Sequence, residues 1–226
     1  MCSRYSLTSP HEAVRQLFGH VNEVVYPPRY NIAPTQPVVI VRLGHTLQRE
    51  IALVRWGLIP GWVKDPRTFA TILNARTETV LEKPSFKAAL RHKRCLVPAD
   101  GFYEFVGAPG KKRPMLISAA AGGPIALAAI HEYWLGAEGS EMETMAILTV
   151  AANTRVSSVH DRMPAIIPPE HFERWLDVKT VDSKEAHAML LPAPDDLLNI
   201  REVDPKLNNP RNEGPELQRS PTSTLL

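Results

Sequence analysis

Cys2 is the first residue whose position suggests chemistry. Removal of Met1 would leave an α-amine and a thiol on adjacent carbons. An unperturbed α-amine titrates near ~8, so part of it is neutral and nucleophilic at physiological pH. With an aldehyde this amine forms a Schiff base, and the thiol beside it closes a five-membered thiazolidine. By position alone Cys2 is equally an incidental cysteine near a chain end. Asn74 and Arg76 share one face if Asn74-Ala75-Arg76 is extended. They offer an amide and a forked guanidinium, and the fork suits phosphate, although a turn-capping Asn and a solvated Arg fit the same pattern. Glu104 stands between Tyr103 and Phe105 and by strand alternation faces away from both. It is either a surface carboxylate or, if enclosed, one whose raised pKa suits proton exchange. His160-Asp161-Arg162 follows a polar turn and precedes Met163-Pro164. His160 fits proton transfer near neutral pH or a hydrogen-bonded structural role. Trp62, on the turn Pro60-Gly61 and close to Lys64, reads as a base-stacking platform or as a plug in the side of the fold.

These residues need a scaffold, and the rest of the chain says which kind. It has 226 residues, 44% hydrophobic and 22% charged, which suits one domain with a core of its own. No apolar run reaches the roughly 18 residues of a membrane span, and the N-terminus lacks a signal-peptide stretch. Cys2 and Cys95 make no disulfide framework and no paired metal motif, so a reducing, cytoplasmic setting is expected, with no metal and no cofactor. Residues 1–113 hold 17 Lys and Arg against 8 Asp and Glu, and residues 114–226 hold 9 against 16. That split fits an anionic partner for surfaces built by the first half, or a chance distribution over a mixed surface.

Short β-rich runs fill the middle: Val38–Leu43, Arg49–Trp56, Cys95–Pro98, Phe102–Val106, Met115–Ser118, Ile125–Ile130 and Met145–Val150. Gly and Pro separate them, as in a mostly antiparallel sheet or distorted barrel. Ser9-Pro10-His11-Glu12 has the form of a capping box, with Val14, Leu17 and Phe18 as an apolar face behind it. The same spacing recurs at Phe86, Ala89, Leu90 and at Phe172, Trp175, Leu176, and a further helix is predicted to start at Asp182 with Glu185 three residues on. The expected architecture is α+β, a single domain over 1–217 with short helices flanking the sheet, followed by a disordered tail over 218–226.

Six ordered motifs resemble the SRAP family, the SOS-response-associated peptidases or abasic-site processing proteins. They are Met1-Cys2-x-Arg4-Tyr5, Tyr30-Asn31-Ile32-Ala33-Pro34, Trp56-Gly57-Leu58-Ile59-Pro60-x-Trp62, Asn74-Ala75-Arg76-x-Glu78, Pro98-Ala99-Asp100-Gly101-Phe102-Tyr103-Glu104 and His160-Asp161-Arg162-Met163-Pro164. Asn212-Glu213-Gly214-Pro215-Glu216-Leu217 resembles the family's closing segment. The resemblance implies a monomer with a groove for single-stranded DNA. In that groove Cys2 would trap the aldehyde of a ring-opened abasic site as a thiazolidine crosslink. It implies Cys2 as nucleophile, Asn74 holding the sugar or the cysteine backbone, and Glu104 and His160 handling protons. Arg4, Arg76 and Arg162 would hold phosphates, with Pro34 and Trp62 lining the DNA path. Ser3 stands where many relatives carry Gly, and Val63 where some carry a second aromatic. A cysteine peptidase, as the family name suggests, and a non-catalytic single-strand binding module are the other classes the motifs allow.

Overall fold

The computed structural model describes residues 2–221. Twelve strands are described: β1 Tyr5–Leu7, β2 Arg29–Ile32, β3 Pro37–Leu43, β4 Arg49–Trp56, β5 Asn74–Arg76, β6 Arg94–Ala99, β7 Gly101–Val106, β8 Arg113–Ala119, β9 Ile125–Leu135, β10 Glu141–Ala151, β11 Arg162–Pro164 and β12 Leu198–Glu202. The α-helices are short: α1 His11–Phe18, α2 Thr77–Val80, α3 Pro84–His92, α4 Thr154–Ser157, α5 Phe172–Leu176 and α6 Ser183–Ala188.

Five strands close a barrel in the order β3, β4, β10, β9, β6 and back to β3. All these pairings are antiparallel except β4 with β10. The six residues of β6 and the first six of β9 are buried without alternation, because both of their faces are covered. β10 outruns its barrel partners. Its pairing with β4 involves Thr144 and Met145, and its pairing with β9 ends at Ile147. The backbone groups left over are taken by β5, parallel to Ile147–Thr149, and by β11, antiparallel to Thr149–Ala151. Asn74 and the His160–Arg162 loop therefore arrive on opposite flanks of the same strand end.

The second sheet runs β12-β8-β7-β1-β2, so β1 lies between β2 and β7. β6 passes into β7 through Asp100, which ties barrel to sheet. Gly101 makes the crossing possible: a Cβ there would stand 2.6 Å from the Ile117 carbonyl oxygen. The face of this sheet carrying Tyr103 packs under the C-terminal segment through Leu116, Val203, Leu207 and Leu217.

One of the helix expectations needs correction. The Ser9–Glu12 capping box does not form; the Asp100 carboxylate instead accepts the N–H groups of Thr8 and Ser9 at the start of α1. The Ser9 hydroxyl also donates to Asp100, so a carboxylate delivered by tertiary packing holds it away from the helix, which is left with no side-chain cap. The face expected at Phe172, Trp175 and Leu176 forms as α5, which follows directly on a 3-10 turn, Pro169–His171. The box at Asp182 and Glu185 does form, at the head of α6. Of the expected tail, 222–226 lie outside the described residues, while Gln218 Nε2 donates to the Tyr103 hydroxyl at 2.7 Å. No described helix is long and apolar enough to cross a membrane.

Candidate active site

Cys2 enters ahead of β1 and is fully buried. Its carbonyl accepts from Asn74 Nδ2 at 2.8 Å, and its thiol donates to the Arg4 carbonyl at 3.6 Å. β5 is fixed against β4 by the Trp56 indole, whose N–H donates to the Leu73 carbonyl at 3.0 Å. Burial, then the negative charge of Glu104, push the Cys2 thiol up, so sulfur is held neutral at physiological pH. Glu104 is 4% exposed, and burial pushes its carboxyl up to about 7. It therefore exchanges a proton readily near neutral pH. Alternation along β7 holds as expected. Both sheet faces are covered, however, so facing away from Tyr103 and Phe105 means facing into an enclosed site rather than into water.

His160 Nε2 stands 4.0 Å from Glu104 Oε2. The Arg162 backbone N–H donates to His160 Nδ1 at 2.9 Å, which leaves the ring hydrogen on Nε2, toward Glu104. Asp161 Oδ1 also lies 2.9 Å from Nδ1, but that side chain is 86% exposed and can rotate away, whereas the main-chain amide cannot. Burial pulls the imidazole's pKa below its ordinary value, favouring this neutral tautomer. Asn74 Oδ1 is buried with no hydrogen-bond partner among the described residues, an acceptor available to a bound hydroxyl. Cys2, Asn74, Glu104 and His160, scattered over 159 positions of sequence, converge on one end of the barrel.

The arginines divide. Arg76 is exposed at the end of β5 and makes no ion pair among the described residues. Arg162, expected on phosphate, is turned inward: it meets the Glu78 carboxylate through both terminal nitrogens and also donates to the Thr149 carbonyl. Its guanidinium holds the Glu78 carboxyl below the usual range. Arg4 is likewise turned inward, donating to Asn31 Oδ1 at 2.8 Å and to the Leu207 carbonyl at 3.2 Å, with its guanidinium 5.6 Å from the Phe105 ring centre. In Arg162 both terminal nitrogens are engaged internally, whereas in Arg4 the two internal contacts share the single nitrogen Nη1. Pro34 is half-buried in the turn between β2 and β3, followed by Thr35 at φ 69°.

Trp62 is 60% exposed and meets Phe69 edge-on at 5.7 Å. The plug is its neighbour Val63, packed with Ile59 and Trp134, and the Trp134 indole donates to the Val63 carbonyl at 2.6 Å. Sequence reasoning assigned no role to Thr149 or Asn31. Thr149 lies in an apolar run that reads simply as a strand. Asn31 sat in a quoted motif, which was the only signal for it.

A closed barrel with an appended sheet, bringing Cys2, an amide and a carboxyl–imidazole pair to one end, defines a single-domain α+β protein with a candidate site at the barrel end. The chain belongs to the SRAP family, SOS response associated peptidase, whose model matches residues 1–210. It is 36% identical over 224 residues to abasic site processing protein YoqW of Bacillus subtilis (strain 168), covering 97% of this chain and 100% of that protein. It is 32% identical to abasic site processing protein HMCES of Rattus norvegicus, covering 96% of this chain and 75% of that one. A crystal structure of a Bacteroides thetaiotaomicron protein superposes with a TM-score of 0.85 at 25% identity, over 98% of this chain and all of that one.

Proposed function

We propose that this protein processes abasic sites in single-stranded DNA by trapping the ring-opened sugar aldehyde on Cys2 as a thiazolidine. The observation that carries the proposal is the enclosure of Cys2 by Asn74, Glu104 and His160. The names of the relatives, abasic site processing proteins, support the substrate. Met1 must first be removed to free the α-amine. Because the thiol is neutral, the amine attacks first: its lone pair bonds to the aldehyde carbon, and the carbonyl electrons move to oxygen. The carbinolamine loses that oxygen as water and leaves a carbon–nitrogen double bond. Sulfur then adds to that carbon, the double-bond electrons return to nitrogen, and the thiol proton ends on nitrogen. One water is lost in all, and nothing is oxidised or reduced.

Glu104 and His160 supply and collect these protons, Glu104 because it is near half-ionised at neutral pH and His160 because its neutral ring faces Glu104. Asn74 fixes the Cys2 backbone and offers Oδ1 to a sugar hydroxyl. The closed ring lacks the positive charge of a Schiff base, so it does not draw electrons toward strand cleavage. Arg76 is the phosphate contact best placed for the strand, and the protein acts as a monomer without metal or cofactor.

The test mixes the mature protein with an abasic single-stranded oligonucleotide and reads adduct by denaturing gel and intact mass. The expected product has the summed mass minus one water and survives denaturation, and Cys2→Ala gives none. Stable adduct from Cys2→Ala, or none from the parent, overturns the proposal.

A further inference from the structure

Asn31 is fully buried on β2 and spends both ends of its amide. Oδ1 accepts from Arg4 Nη1 at 2.8 Å, while Nδ2 donates toward the carbonyls of Leu207, Asn209 and Asn212 at 3.3, 3.0 and 3.0 Å. Its backbone N–H donates to Glu213 at 3.1 Å, and Glu213 also takes Arg29 Nε at 3.0 Å. Arg4 closes the chain of contacts. Its side chain is held by Asn31 and the Leu207 carbonyl, and its own carbonyl accepts both the Tyr103 N–H at 2.9 Å and the Cys2 thiol at 3.6 Å.

From these contacts we infer that Asn31, acting through Arg4, is a positioning residue for Cys2, and that residues 207–213 form a clamp that completes the site. The inference rests on the proposed chemistry at Cys2. Asn31 and Glu213, each in a motif but neither with a role of its own so far, become the two halves of one device. Arg4 is thereby a backbone anchor for the nucleophile and not a phosphate ligand. A cationic side chain near the nucleophile is easily read as a phosphate contact, but here Nη1 faces one carbonyl and one amide oxygen inside the protein. Lys in its place keeps the charge but loses the rigid guanidinium plane that holds the one nitrogen, Nη1, against both Asn31 and the Leu207 carbonyl and lays its face near Phe105.

The experiment compares Arg4→Lys, Glu213→Ala and Asn31→Ala with the parent in three measurements. These are affinity for an undamaged single strand, single-turnover adduct formation at saturating protein, and the rate of Cys2 alkylation by iodoacetamide, mapped by mass to separate it from Cys95. For Arg4→Lys we expect affinity within about twofold, adduct formation slowed by roughly tenfold or more because the reacting atoms lose their alignment, and altered Cys2 alkylation. Glu213→Ala should move in the same direction by less. Asn31→Ala added to Arg4→Lys should slow the reaction no further. Lost affinity in Arg4→Lys with an unchanged saturating rate would make Arg4 a phosphate contact and overturn the inference. If Asn31→Ala does not fold, Arg4→Lys and Glu213→Ala still decide it. Parent protein that forms no adduct refutes the chemistry at Cys2, whereas variants alkylated as the parent is refute the clamp.

Discussion

Replacing Trp62 with Ala separates two readings of one tryptophan. At 60% exposure the side chain keeps about two-fifths of its surface from water. For a ring burying about 200 Å² when fully enclosed, that is ~80 Å², or at most ~2 kcal/mol at 25 cal/mol per Å². The edge-on contact with Phe69 falls within that sum. For a protein of this size about 2 kcal/mol lowers the melting temperature by roughly 4–8 °C at most. Trp134 is 5% exposed and donates to the Val63 carbonyl, so its loss should cost about 3–5 kcal/mol. If Trp62 stacks on a base, Trp62→Ala should weaken single-strand binding by about 1–3 kcal/mol. That is roughly 5- to 150-fold in Kd. The assay pairs fluorescence anisotropy on a labelled oligothymidine with thermal unfolding of the same preparation. Unchanged affinity, or a melting temperature that falls as far as that of Trp134→Ala, refutes the stacking role.

The pH dependence of Glu104 gives an independent check. Its folded-state pKa is raised to about 7 from an ordinary 4.5, so the folded protein binds more protons than the unfolded chain between those values. Stability is therefore lost as pH rises through that window, by up to a few kcal/mol at about 1.4 per unit. Glu104→Gln should melt higher than the parent at pH 8, match it near pH 4.5, and form adduct more slowly; a constant difference across pH would remove the buried carboxyl from the account. The two arginines should respond oppositely. Arg76→Ala is expected to lower the salt slope of single-strand binding by about 0.7 with little change in melting temperature. Arg162→Ala should leave the slope alone and destabilise, since it frees Glu78 and the Thr149 carbonyl; equal slope changes in both would show that the Arg162–Glu78 pair opens to bind phosphate.

Local pattern alone located the main elements of this protein, although β9 and β10 run well beyond the expected Ile125–Ile130 and Met145–Val150. β4 spans Arg49–Trp56 as its apolar run and flanking glycines indicate, and β3, β6, β7 and α6 differ from their expected ranges only at the ends. Binary pattern and capping chemistry act over a few residues, so they are legible without the fold. β5, β11 and β1, three residues each, carry too little pattern to be seen, because each exists only where a longer strand offers unpaired backbone groups. The candidate site was legible as a set of motifs, and its residue types pointed to the chemistry proposed for it. Tertiary structure alone decided which side chains face one another. It buried Glu104 by covering both faces of β7 and turned Arg4 and Arg162 onto internal carbonyls. It left Trp62 outside while Val63 went in, and drew the Ser9 hydroxyl onto Asp100 instead of the head of α1. Each of these is a competition between water and a partner distant in sequence, and such a competition is settled only when that partner arrives.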